Sequence, residues 1–412
     1  MTDYKAKNIK KITDYISSGI KEIYGKNIGV ECEHIITTED KHPVSFYGES
    51  GINAVLEELA EFYPQKTFSD GHLVGLNDGN VFITLEPAAQ LEVSIIPLES
   101  IEKIEGLYLK FLNRIKKILS KYSYEILNVG YHPSAKADEL PLIPKERYRL
   151  MDSYFISMGN RPRYMMRGSA SVQVNIDYFS EDDFIKKFRL ANLLSPLFYL
   201  ITDNAEIFEA EKFNGFSARS LAWENVDNSR CGFLDFSSFE EYAQWVYSTE
   251  PVFIQDNGKD VFCPDMNNEI IFKDKELTDD DISHIMSMVF PNVRVKRFIE
   301  IRAADSLPCD FMLSYAALIK GLFYNNEAVD KLNDLLNFVS LDDMYSQTEL
   351  IRKHGFNCKY YGFDMKTVIQ KVFSFAQDGL DDDEKHFLDP LKQAALQYIT
   401  PKQLLMPEVT VY

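Results

Sequence analysis

Ile83-Thr84-Leu85-Glu86-Pro87-Ala88-Ala89-Gln90-Leu91-Glu92-Val93-Ser94 is the stretch whose reading decides the fold. Pro87-Ala88-Ala89 breaks it into two short strand pieces. Side chains alternate across a strand. Leu91, Val93 and Ile95 therefore share one face, and Gln90, Glu92 and Ser94 share the other. One face can pack on a core while the other presents carboxylate and amide. Residues 28–34 repeat the pattern, with Glu31 and Glu33 alternating with Val30 and Cys32. Carboxylates that converge on one face repel unless protons or metal ions neutralise them. An oxygen-only cluster suits magnesium, and magnesium on a polar sheet face points to ATP chemistry.

Elements of both kinds surround this stretch. Ile9, Ile12, Ile16, Ile20 and Ile23 form one stripe at helical spacing within residues 3–24. Ser50 is placed to cap a helix over residues 52–63. A hairpin over residues 73–76 and 81–85 turns at Asn77-Asp78-Gly79-Asn80. Pro97 is placed to open a long helix ending near Tyr122. Residues 171–177 alternate Val172, Val174 and Ile176 against Gln173, Asn175 and Asp177, and a helix over 181–201 follows. Residues 297–302 read as a strand with Glu300 and Arg302 on one face. Beyond Pro308 the chain reads as helices. Strands early and helices late define an α+β class with an antiparallel sheet. No repeat or low-complexity linker divides the chain, so residues 1–412 are expected to form a single domain, with 327–412 as a helical C-terminal region.

Composition narrows the function. The 412 residues are 45% hydrophobic and 13% aromatic, a globular composition. The 44 basic residues against 63 acidic ones leave a net charge of −19, which argues against nucleic-acid or membrane partners. No run approaches the roughly 18 apolar residues of a membrane span, and the lysine-rich start lacks a secretory apolar core. Cys32, Cys231, Cys263, Cys309 and Cys358 are too scattered for a disulfide framework or a structural zinc site. A reducing, cytoplasmic setting is expected.

Several side chains are candidates for chemistry. Glu31, Glu33, Glu86, Glu92 and Glu300 occupy face-consistent strand positions between apolar neighbours, and are the expected metal ligands. Any one alone is explained by a solvated strand face; five together point to a site. Arg167 follows Met165-Met166 beside the polar strand, where a guanidinium suits a ligand carboxylate. Arg219 and Arg230 lie in loop-like, basic segments of an acidic chain, suited to phosphate or carboxylate. Asp279-Asp280-Asp281 and Asp381-Asp382-Asp383 belong at helix starts, where acidic groups favour the helix dipole. His132 reads as structural. The glycine-rich nucleotide loops and the GxSxG elbow are absent.

The ordered series of segments resembles the plant and proteobacterial type of glutamate–cysteine ligase. It runs through Gly29-Val30-Glu31-Cys32-Glu33, Leu85 to Ser94, Gly130-Tyr131-His132-Pro133, Pro144 to Tyr148 and Met165-Met166-Arg167. Ser171 to Asp177, Phe213 to Ser220, Trp223, Asp227 to Gly232 and Phe298 to Asp305 complete it. The resemblance implies a glutamine-synthetase-like carboxylate–amine ligase fold, a curved antiparallel sheet with glutamates on its concave face and flanking helices. It implies ATP-dependent joining of the L-glutamate γ-carboxylate to the L-cysteine amine through γ-glutamyl phosphate, with two or three magnesium ions. On that reading Arg302 spreads phosphoryl charge and binds nucleotide, and Arg230 faces ATP. Arg167, Arg219 and Gln90 bind the amino-acid substrate, and Asp177 takes the amine proton. The enzyme is expected to be a monomer or homodimer. Two departures stand out: Ala88-Ala89 replaces a glycine pair, and Ser306-Leu307-Pro308-Cys309 replaces Gly-Gly-Pro-Trp. A γ-glutamyl ligase with another amine acceptor and a non-catalytic ligand-binding relative stay open as alternatives.

Overall fold

A computed structural model describes residues 4–159, 161–256, 259–263 and 266–405. Its centre is an antiparallel sheet whose strands are β1 (Ile28–Thr38), β2 (Gln65–Ser69), β3 (His72–Asn77), β4 (Val81–Leu85), β5 (Leu91–Leu98), β6 (Tyr124–Leu127), β7 (Ser171–Ile176), β8 (Val293–Val295) and β9 (Ile299–Asp305). They lie in the order β8-β9-β7-β1-β5-β4-β3-β2, with β6 pairing the far end of β1. The α+β class and antiparallel sheet are therefore those read from the sequence.

Strand alternation separates two faces. Val30, Cys32, Val93, Val172, Val174 and Ile301 are all buried on the core side. That side packs against α1 (Ile101–Leu119), α2 (Glu181–Ile201) and α3 (Cys309–Phe323). Complete burial of a side chain such as Val174 contributes about 1.5–3 kcal/mol. One hydrophobic core runs continuously from Ile12 to Ala395, so the C-terminal helices pack into the same core as the sheet.

Three boundaries differ from the sequence reading. Pro97 lies inside β5, not at a helix start. The helix after it begins at Ile101, where the Ser100 side chain accepts a hydrogen bond from Lys103 N. The N-terminal helix stops at Ser17, and Ile23 is left 86% exposed, because Gly19 and the following turn break the helical stripe. Gly51, not Ser50, holds the cap position of the helix Ile52–Leu59. By contrast, Asp279 to Asp281 do open a helix behind the cap Thr278, as acidic dipole partners should.

Candidate active site

Register brings the carboxylates together. In the β1–β5 ladder Glu33 stands directly opposite Glu92, and Glu31 opposite Ser94. On the other side Glu31 faces Gln173 of β7. Thr84 of β4 faces Glu92. Like charges directly opposed across a ladder destabilise a sheet, so the Glu33–Glu92 meeting works against folding unless something cationic sits there. Neutral donors hold each group in place. Asn175 Nδ2 donates to Glu31 at 2.7 Å, and Ser171 N and Gln173 Nε2 donate to Glu33 at 2.7 and 3.1 Å. Thr84 and Ser94 hydroxyls donate to Glu92 Oε1 at 2.9 and 3.2 Å.

These contacts do not neutralise the cluster. Burial, then repulsion from Glu300 and Glu92, pushes the Glu31 carboxyl up to about 7. Burial and Glu92 push Glu33 up to about 7 as well. Burial and Glu33 raise Glu86, and burial and Glu86 raise Glu92. A cavity of about 360 Å³ opens over this face and is lined by all four. Among the described residues, no three carboxylate, imidazole or thiol groups are gathered around one point as a ready-made cage for an ion. The four glutamates are instead spread over β1, β5 and the turn between β4 and β5.

Cations share the same cavity. Lys145, Arg147, Arg219, Arg294 and Arg302 all line it. Arg302 Nη1 is fixed at 2.7 Å from both Gln173 Oε1 and Glu300 Oε1. The guanidinium carbons of Arg219 and Arg302 lie 5.5 and 5.7 Å from the Trp223 ring centre. Arg219 Nε and Trp223 Nε1 are buried donors with no acceptor among the described residues. Buried donors are rarely left unpaired, so this end of the cavity is suited to an acceptor brought by a ligand.

Five expected site residues are placed differently from the sequence reading. Glu300 is fully buried and does not line the cavity. Arg294 grips it through Nε at 2.7 Å and Nη2 at 2.8 Å, with Arg302 at 2.7 Å and Lys296 at 3.6 Å. Burial opposes its ionisation, but Arg294, Lys296 and Arg302 prevail and hold its carboxyl well below the usual range. It anchors arginines and is not offered as a free ligand. Gln90 lines the cavity, yet its amide is occupied by backbone. It accepts from Ala88 N at 2.9 Å and donates to the carbonyls of Arg167 and Ser169 at 3.1 Å each. Arg167 pairs with Asp152 at 2.6 Å and donates to Leu140 O, outside the lining. Arg230 is completely buried against Asp227 at 2.6 Å and over the Tyr154 ring, also outside the lining. Asp177 lies past the end of β7, 3.7 Å from Lys21, and does not reach the cavity.

Both sequence departures are also placed. Ala89 adopts φ +67°, the left-handed region where glycine carries no penalty. Its methyl is buried in the core, which offsets the strain. None of Ser306 to Cys309 lines the cavity; Ser306 Oγ donates to Glu33 O at 2.6 Å. Lys145, Arg147, Arg294 and Trp223 were not singled out as site residues. A signal existed for the first two: a basic pair two residues apart in a proline-rich stretch of an acidic chain. Arg294 is found only by pairing, since it stands opposite Glu300 in the β8–β9 ladder.

A sheet face of paired carboxylates, rimmed by arginines and a lysine, has the donor set that suits a phosphate ligand and its counter-cations. Residues 27–359 match the family description "Glutamate-cysteine ligase family 2 (GCS2)", and the chain belongs to that family. It is 29% identical to a chloroplastic glutamate–cysteine ligase of Brassica juncea over 414 aligned residues, covering 95% of this chain and 79% of that one. It is 28% identical to glutamate–cysteine ligase B, chloroplastic, of Oryza sativa subsp. japonica, covering 95% and 82%. The fold is similar to that of a glutamate–cysteine ligase of Francisella tularensis solved in complex with AMP. The TM-score is 0.55 at 12% identity, covering 94% of this chain and 85% of that one.

Proposed function

We propose that this chain joins the γ-carboxylate of L-glutamate to the amino group of L-cysteine, driven by ATP, through γ-glutamyl phosphate, with ADP and phosphate released. The observation that carries the reading is the register that forces Glu33 against Glu92 beside Glu31 and Glu86, in one cavity with Arg219 and Arg302. Family membership supports the substrates.

Glu31, Glu33, Glu86 and Glu92 are the residues that would hold two or three magnesium ions. Their spread over strands fits that ion. Magnesium commonly takes one or two carboxylates and completes its shell with water and phosphate oxygens. Bound there, magnesium would offset polyphosphate charge and orient the γ-phosphoryl group. Arg302, aimed by Glu300 and Gln173, meets the charge of the phosphoryl group as it transfers. Lys145 and Arg147, on the Glu86 side, add positive charge for the nucleotide phosphates. The unpaired donors of Arg219 and Trp223 would take the α-carboxylate of glutamate. Positioning and charge stabilisation carry most of such a reaction. Because Ser306 to Cys309 stay out of the cavity, that departure gives no reason to exchange cysteine for another acceptor.

All five cysteines are free thiols, which supports a reducing compartment such as the cytoplasm. No helix among the described residues is long and apolar enough to cross a membrane. The deciding experiment is phosphate release from magnesium-ATP and L-glutamate with cysteine or a panel of other amines, with the product mass read alongside. Cysteine-dependent release with a γ-glutamylcysteine mass is the expected result. Release with another amine alone, or none from folded protein, refutes the proposal.

A further inference from the structure

The short helix Ala218–Trp223 carries both Arg219 and Trp223 into the cavity. A six-residue helix has no stability of its own, so its placement comes from tertiary contacts. Both of its ends are held by cations. At its C-terminal end Glu224 sits between Arg161 and Arg352, each at 2.5 Å. At its N-terminal end the chain passes through Ser217, a buried non-glycine residue at φ +56°. Phe216 N there donates to Arg352 O at 3.0 Å.

The preceding turn is gripped by Lys402, on the helix Pro401–Leu405, beyond the stretch that matches the family. Lys402 Nζ pairs with Asp203 at 2.8 Å and donates to Gly215 O at 2.7 Å. It lies 5.8 and 5.4 Å from the ring centres of Phe213 and Phe216. Its backbone N–H donates to Asp203 O at 3.1 Å. The side chain is only 11% exposed and Asp203 is completely buried. One ammonium thus ties Phe213, Gly215 and Phe216 of this turn to the core, just before the helix that presents Arg219.

We infer that Lys402 is a positioning residue for the amino-acid substrate: the C-terminal helix holds the 213–217 turn so that Arg219 and Trp223 face the glutamate carboxylate. This rests on the assignment of Arg219 to that carboxylate. The contact touches neither the strand glutamates nor Lys145 and Arg147, so it should act on glutamate and not on ATP.

The test uses the full chain. Lys402→Met alone strands a buried carboxylate and can fail to fold, so the decisive variant is Asp203→Asn with Lys402→Met, which removes both charges. Trp223 is read by fluorescence in a Trp245→Phe background, since the chain has two tryptophans. The expected result is a glutamate KM raised about tenfold or more, an ATP KM within about twofold and a kcat within about threefold, with a shifted Trp223 emission. Lys402→Arg, which keeps the ion pair, should restore the glutamate KM. An unchanged glutamate KM and emission in the folded double variant overturns the inference, as does a parallel rise in both KM values. Arg219→Lys serves as the control. If it leaves the glutamate KM unchanged, the Arg219 assignment itself has failed, and the inference falls with it for a distinguishable reason.

Discussion

Replacing Glu31 by glutamine should make the metal-free protein more stable and the enzyme inactive. The Glu31 carboxyl is pushed up to about 7 from an ordinary 4.5. A raised carboxyl contributes stability that is fully present below about 4.5 and is lost as pH rises through about 7. At pH 8 the ionised group therefore works against the fold. One pKa unit corresponds to about 1.4 kcal/mol, so the shift bounds the effect near 3 kcal/mol. Cavity water screens the repulsion, so the expected gain for Glu31→Gln is about 1–3 kcal/mol. Glutamine keeps an oxygen to accept the 2.7 Å bond from Asn175 Nδ2, so that donor stays paired. Urea denaturation at pH 8 in chelator measures it. Adding magnesium-ATP should invert the order, since the wild-type carboxylate then has cations to meet and the amide does not. Turnover should fall at least about 100-fold. A variant less stable than wild type in chelator, or one equally stabilised by magnesium-ATP with near wild-type turnover, refutes the reasoning.

Three further outcomes are expected. Glu300→Gln should lose about 3–5 kcal/mol in urea denaturation, because it leaves Arg294, Lys296 and Arg302 around a neutral side chain; a loss under about 1 kcal/mol would show that Glu300 does not anchor them. Burial lowers His34 to about 4, and its ring bridges Leu91 O and the Tyr108 hydroxyl in the core. Its contribution is complete above an unfolded value near 6.5 and is lost as pH falls toward 4; wild type should lose about 3 kcal/mol relative to His34→Gln over that window, and parallel pH profiles would contradict it. Ser100→Ala should cost about 1 kcal/mol by removing the cap of the helix Ile101–Leu119, measured by thermal or urea unfolding; no loss would show that the Ser100 side chain does not stabilise this helix start.

Alternation along single strands was enough to place Glu31, Glu33 and Glu92 on one face, because the two-residue period of a strand is a local property. The family series extended that to the fold and the reaction. The same local reasoning failed at Pro97 and Ser50, where a strand running two residues further, or a glycine at the cap, depends on what packs alongside. Partnership was not legible for Arg167, Arg230, Asp177 and the amide of Gln90, whose types suit ligands but whose partners in the structure are Asp152, Asp227, Lys21 and backbone carbonyls. An arginine's use is set by which charge lies within reach, and that charge can come from a distant part of the chain.

What the sequence by itself determined was which residue types alternate and to which family the order of motifs belongs. What only the tertiary structure decided was register and partnership. Glu33 meets Glu92 although the two are far apart in the chain, and Glu300 is claimed by arginines. Lys402 reaches Asp203 across the whole C-terminal half. Periodicity is carried by neighbours in sequence. The charge that neutralises, orients or frees a side chain is supplied by neighbours in space, and only the folded ladder and core bring them together.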